Sequence, residues 1–333
     1  MIFDAFIFAA NAVLPIIILI ALGYFIKRIG LLGKDFFDSG NKLVFRVLLP
    51  VMLFLNVYKI EKLSDVNPAY VIYGVVAVLM IFFLAIPVCM AYTKDNAKRG
   101  VMIQAVFRSN YAIIGIPLAE SLFGDKGAAA AGVMSAFCVP LFNILGVITL
   151  TVFNGSEEKK KADVKKILKG IAKNPLIIGT VSGLLVLVIR AGFEKLGIGL
   201  RLKDATVIYK SLESVKNICT PFALLVLGGR FEFSAISRLK REIIMGTALR
   251  NIAVPVAGLS LAYLLKGTLS LSGEHFATFV GVFATPVAVS SAVMAKEMGG
   301  DDELAGQLVV WTSLISTVTI FIYVAALKML GIF

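Results

Sequence analysis

Apolar residues run along this chain in ten long blocks parted by short polar stretches, and each block comes close to the roughly 20 residues that a helix needs to span a bilayer. The blocks lie near 6–26, 37–57, 69–92, 101–123, 128–153, 174–192, 207–229, 242–265, 275–297 and 304–330. The pattern predicts an all-α integral membrane protein with ten transmembrane helices. The sixth block is short. The stretch 193–205 after it sets Phe193, Leu196, Ile198 and Leu200 among Glu194, Lys195, Arg201 and Lys203, a mixture suited to the membrane interface. The longest polar run, 154–173, is read as a solvated linker between a first five-helix unit, 1–153, and a second, 174–333.

Prolines recur at nearly one offset in the two units. Pro50 and Pro221 lie 171 residues apart, Pro87 and Pro255 168, and Pro117 and Pro286 169. Five spans is an odd number, so a second copy must enter the membrane from the opposite face, which makes an inverted repeat. Two blocks are also interrupted at depth. The first, Phe107 to Gly124, carries Arg108, Ser109, Asn110, Gly115, Pro117 and Glu120; the second is Phe283 to Ser291. Lipid tails cannot hydrogen-bond such groups, and proline removes a donor and clashes with the preceding turn. Helices four and nine are therefore expected to break near Gly115–Pro117 and at Pro286. A half-helix would start after each proline, with Thr285 as a cap. Broken helices in matching positions of two halves mark a carrier's binding site.

Composition agrees with the membrane reading. Of 333 residues 59% are hydrophobic and 16% charged, and the mean hydropathy is +0.90. A net charge of +12 would suggest nucleic acid in a soluble protein. Here the basic residues cluster between the blocks, and counting alternate sides gives eighteen Lys and Arg against ten. The richer side, which includes the seven lysines from Lys159 to Lys173, should be cytoplasmic, with both termini outside a plasma (inner) membrane and no nucleic-acid partner. The N-terminus has no basic n-region with a small-residue cleavage site, so the first span is read as retained. Cys89, Cys138 and Cys219 are widely spaced in apolar blocks and form no disulfide or metal-thiolate pattern.

The candidate chemistry sits at the two interruptions. Helix N-termini converging at depth present free amide donors and partial positive charge, an arrangement that favours a carboxylate. Asn110, Ser290 and Ser291 can add neutral hydrogen bonds there. Arg108 and Arg250 lie about two turns inside spans four and eight, and ionisable groups at such depth need a partner. Each can attract a carboxylate, pair with Glu120 or reach the surface, so a pathway role and a structural role both stay open. Arg46 and Lys216 are read as structural, at an interface or paired with Asp38 or Glu213. Asn143, just after Pro140, is a further candidate for the cavity. Thr312, Ser313, Ser316, Thr317 and Thr319 of span ten are read as close helix packing, as is Ala128–Gly132. His275, the only histidine, sits at a span edge. No zincin, paired-aspartate or nucleophile motif appears, which argues against an enzyme and implies no cofactor.

The segment Asn110-Tyr-Ala-Ile-Ile-Gly-Ile-Pro117-Leu resembles the fourth-span crossover of the auxin efflux carrier family, and Pro286 through Ala295-Lys-Glu297 resembles its ninth span. The resemblance implies a fold like that of bile-acid symporters and sodium/proton antiporters. Spans 1, 2, 6 and 7 would form a scaffold, and spans 3–5 and 8–10 a transport domain. It also implies organic-anion transport (auxin, or malate- or malonate-like acids), with Asn110, Pro117 and Pro286 at the site, and a homodimer through the scaffold. A proton or sodium could couple the transport. Plant members carry an acid in span three, but 70–92 here contains no Asp or Glu. A sodium-coupled symporter of the bile-acid type and a membrane anion sensor that does not transport remain as alternatives.

Overall fold

The computed structural model describes residues 2–58, 67–154, 170–196, 199 and 201–333. Most of the linker 154–173, and part of the interfacial stretch 193–205, lie outside the described residues. Twelve α-helices are described. They are α1 (Ile2–Arg28), α2 (Lys34–Tyr58), α3 (Pro68–Tyr92), α4 (Asn96–Phe107), α5 (Tyr111–Val152) and α6 (Pro175–Lys195). After a 3₁₀ turn at Leu202–Asp204 come α7 (Thr206–Arg230), the short α8 (Ser234–Arg238), α9 (Lys240–Leu264), α10 (Gly273–Ala284), α11 (Ser290–Glu297) and α12 (Asp302–Met329). Six of them, α2, α3, α5, α6, α9 and α12, are long and apolar enough to cross a membrane. The chain is a multi-pass membrane protein.

Side-chain caps explain where several helices begin. The Asn67, Asp95 and Asn174 side chains accept from the backbone N–H two residues on, and Asp301 from the N–H three residues on, each at 2.9 Å. Proline follows the cap at Pro68 and Pro175, where its missing donor costs nothing. The 42-residue α5 is two helices meeting at a sharp break, where Phe123 leaves helical geometry and Gly124 takes φ 56°. Only glycine adopts that conformation without strain. The break falls where the sequence separates spans four and five.

Three π-turns lie inside helices, at Val44–Leu48, Tyr111–Gly115 and Leu249–Ala253. Each ends two residues before a proline: Pro50, Pro117 and Pro255. The proline ring clashes with the carbonyl four residues back and offers it no donor, and a turn widened by one residue relieves both problems. This mechanism overturns the expected break at Gly115–Pro117. Pro117 stands on the exposed face of a continuing helix, and the chain leaves helical geometry earlier, at Arg108–Asn110. In the second interruption Pro286 does lie in the extended segment, but the following helix starts at Ser290, and Thr285 caps the end of α10 rather than the start of α11. Pro117 and Pro286 therefore occupy different settings.

Helix lengths nonetheless match between the two halves. α2 and α7 have 25 residues each, as do α3 and α9, while α4 and α10 have 12 each. The second member starts 172 residues later for the first two pairs (34 to 206, 68 to 240) and 177 later for the third (96 to 273). In the packed structure α2 runs along α6 and α7, α1 along α7 and α12, and α5 along α10. The most enclosed part of the core lies where α4, α5, α10 and α11 meet, with Met102, Ile103, Ile114, Phe279 and Ala284 wholly buried.

Candidate functional site

At the centre of that core two extended segments cross. Ser109 and Val287 form an isolated antiparallel bridge. The Asn110 N–H donates to the Pro286 carbonyl at 2.7 Å, and the Ala288 N–H to the Arg108 carbonyl at 3.3 Å. The Val287 N–H donates to Thr312 Oγ1 at 3.1 Å. Backbone that has left its helix at membrane depth must find such partners inside the protein. Thr312 thus serves the crossing as well as helix packing.

Arg250 satisfies the helix ends that stop here. Its guanidinium donates to the carbonyls of Val106 at 3.0 Å, Val282 at 3.0 Å and Thr285 at 2.8 Å. Those carbonyls close α4 and α10, whose C-terminal ends carry partial negative charge, so one cation answers both dipoles. Arg250 is only 1% exposed and does not line the cavity. All three of its guanidinium nitrogens are engaged by backbone carbonyls. The next residue, Asn251, donates to the Thr312 carbonyl at 2.9 Å and ties α9 to α12.

On the other side of the crossing, the N-terminal ends of α5 and α11 face a cavity of about 280 Å³. Its walls include Arg108, Ser109, Asn110, Tyr111 and Asn143 from the crossing and α5, and Ser290 from the start of α11. Arg108, 3% exposed, donates through Nη2 to Asn143 Oδ1 at 2.6 Å and Ser290 Oγ at 2.9 Å, and Nη1 rests against Met294 Sδ. Asn143 is oriented for this by its own bond to the Val139 carbonyl at 2.9 Å. No Asp or Glu among the described residues forms an ion pair with Arg108. Glu120 is exposed on α5 and is not its partner. Asn110 Nδ2 and Ser109 Oγ are buried at the cavity without a hydrogen-bond partner. The result is a buried cation, an unpaired amide donor and two helix N-termini of the same sign around one space.

Four of the nine residues singled out in the sequence meet at this cavity: Arg108, Asn110, Asn143 and Ser290; Ser291 does not line it, and its buried hydroxyl has no partner. Gly115, Pro117, Pro286 and Arg250 do not line it. Gly115 is a packing residue: a Cβ there would come within 2.9 Å of Gly281 Cα, so α5 and α10 cross backbone to backbone. The far wall comes from α2 and α7 and includes Asn56, Lys216, Asn217 and Thr220 with apolar Leu53 and Ala223. Sequence reasoning assigned Lys216 a structural role and passed over the other three polar residues. Lys216, Asn217 and Thr220 lie mid-helix in α7, where polarity alone does not show which face meets a ligand. Arg46 is exposed on α2. His275 stacks on Tyr70 at 4.3 Å at the end of α10, away from the cavity.

Comparison with known proteins agrees with a carrier. Residues 8–324 match the model of the membrane transport protein family. The chain is 22% identical to an uncharacterized transporter of Methanothermobacter thermautotrophicus, covering 95% of this chain and 97% of the relative. It is 27% identical to one of Methanocaldococcus jannaschii, covering 95% and 96%. With the transporter YfdV of Escherichia coli K12, also uncharacterized, it shares 24% identity over 87% and 88%. With the match running almost end to end, the chain belongs to this family of membrane transporters, the auxin efflux carriers.

Proposed function

We propose that the protein is a secondary carrier of small organic anions, carboxylates of malate, malonate or auxin type, working by alternating access around the crossing. Arg108 carries the argument. A buried guanidinium without a carboxylate is costly unless an anion joins it. Arg250, by contrast, spends its donors on carbonyls. Charge balance thus holds at the closing ends of the broken helices and fails at their opening ends, which leaves net positive potential in the cavity. A volume near 280 Å³ suits a compact solute. The carboxylate would take Arg108 and Asn110 Nδ2, and the exposed amides of the first turns of α5 and α11.

The matched helix lengths and starts support ten spans in two inverted five-helix units. In this reading α1, α2, α6 and α7 stay fixed in the plasma membrane, as a homodimer, while the crossing and its neighbours move as a body. The test is flux of labelled mono- and dicarboxylates in proteoliposomes, with and without sodium or a proton gradient. Saturable flux that Arg108→Ala removes is the expected result. Saturable binding with no flux in either direction would leave a sensor instead, and collapse of flux without sodium would identify the coupling ion.

A further inference from the structure

Away from the cavity, the helix ends that bear most of the basic residues are joined by charged side chains. Arg230, the last residue of α7, lies 3.4 Å from Asp38 of α2 and also pairs with Asp302 of α12. Lys296 of α11 lies 3.9 Å from Asp38 and 3.7 Å from Asp302. One turn along α2, the buried Asn41 donates to Glu297 Oε1 at 2.9 Å and to the Val293 carbonyl at 3.4 Å. Three of these contacts run between the α2–α7 pair and the α11–α12 pair: Arg230 to Asp302, Lys296 to Asp38, and Asn41 to α11. The cavity also borders the α2–α7 pair, farther along α2, at 49–56, and along α7, at 216–223, and faces the crossing, α5 and the first residue of α11. Thr220 and Arg230 are ten residues apart, about 15 Å along a helix.

We propose that Asp38, Asn41, Arg230, Lys296, Glu297 and Asp302 form a latch that holds the carrier shut on its basic face and must part before the cavity can be reached from there. The inference rests on the alternating-access reading. Asp38 and Arg230 cancel on the α2–α7 side, while Lys296 offsets only one of Glu297 and Asp302 on the other, so parting leaves no more than a single net negative charge on that side. The ion-paired side chains keep 14–35% of their surface exposed, which makes each pair weak and breakable. Asn41 supplies the buried, directional contact, and it reaches the half-helix whose other end presents Ser290 to Arg108. Opening the latch therefore frees the element that carries part of the binding site.

Cysteine accessibility tests this without any substrate. With Cys89, Cys138 and Cys219 replaced by alanine, Thr220→Cys or, as a second reporter, Asn217→Cys is treated with a membrane-impermeant thiol reagent. The reagent is applied to right-side-out and to inside-out vesicles. With the latch intact, both reporters should react faster from the face opposite the latch. Arg230→Gln combined with Asn41→Ala should raise the rate from the latch face about tenfold, as a one-decade shift of the closed population would. Arg230→Lys should keep the wild-type pattern. Unchanged rates from the latch face, in a variant whose opposite-face labelling persists and so reports an intact fold, would overturn the latch. Because labelling needs no anion, a latch that opens in a protein that moves no carboxylate would refute only the proposed substrate.

Discussion

At the scale of single residues, two buried arginines of equal visibility in the sequence turn out to do different things. Arg108→Ala should remove a charge-assisted contact of about 1.5–3 kcal/mol from a bound carboxylate, so affinity should fall roughly 10- to 150-fold. Asn110→Ala removes a neutral donor worth about 1 kcal/mol, a loss of roughly five- to tenfold. Ligand-dependent thermal stabilisation across a carboxylate series measures both, since a ligand that binds the fold raises its apparent stability by mass action. Wild-type affinity in both variants would put the site elsewhere. Arg250→Ala should instead lower stability by several kcal/mol, because three buried carbonyls lose their donor at once. Thermal unfolding in detergent would show it, and an undiminished melting temperature would refute the clamp. The sequence shows Arg108, Asn110, Asn143 and Ser290 because polar groups within an apolar block stand out by their cost. It does not show that Arg250 serves carbonyls 32, 35 and 144 residues away, because nothing local in the sequence records a backbone acceptor. Lys216 stands out as well, in the middle of α7, but nothing local in the sequence shows that its face of the helix meets the cavity.

At the scale of elements, the existence of the breaks is legible and their position is not. Proline marks a helix that must adjust, but the adjustment has two forms, a break or a π-turn, and the choice depends on partners elsewhere in the chain. Pro117 sits two residues past a π-turn, whereas Arg108–Asn110 breaks because Pro286–Ala288 supplies the backbone partners. Pro117→Ala, on an exposed helix face, should accordingly leave anion affinity within about threefold of wild type, a change under 1 kcal/mol. Loss of binding in Pro117→Ala with binding retained in Asn110→Ala would return the crossing to the proline. Gly115→Ala should be the damaging neighbour. A methyl there meets the Tyr111 ring at 2.5 Å and Gly281 Cα at 2.9 Å, and such overpacking costs about 1–3 kcal/mol. Gly132→Ala on the same helix has nothing within 4 Å, so it should gain about 0.5–1 kcal/mol from helix propensity. Unfolding midpoints that rank the two glycines the other way would show that α5 and α10 do not cross so closely.

At the scale of the whole molecule, the alternation of sides read from the sequence is carried by contacts between distant helix ends. Lys98 at the start of α4 pairs with Glu242 at the start of α9 at 2.8 Å, and the Tyr92 hydroxyl at the end of α3 donates to the Arg241 carbonyl at 2.8 Å. The Asp301 N–H donates to the Ala97 carbonyl at 3.2 Å, and Asp302 pairs with Arg230 at the end of α7. Through Asp38 the chain of contacts reaches the start of α2. All these ends share one face, as counting spans requires, and it is the face assigned eighteen basic residues against ten. If that asymmetry orients the protein, the face is cytoplasmic. An alkaline phosphatase fused after Phe333 should then be active outside, and a fluorescent protein there should stay dark. Replacing the seven lysines from Lys159 to Lys173 by glutamine would leave eleven basic residues against ten. Orientation should then become mixed, with both reporters giving partial signals, while the fold of the correctly inserted fraction is unchanged. An inactive phosphatase and a bright fluorescent protein on the unaltered chain would reverse the assignment and place the charged latch on the outer surface.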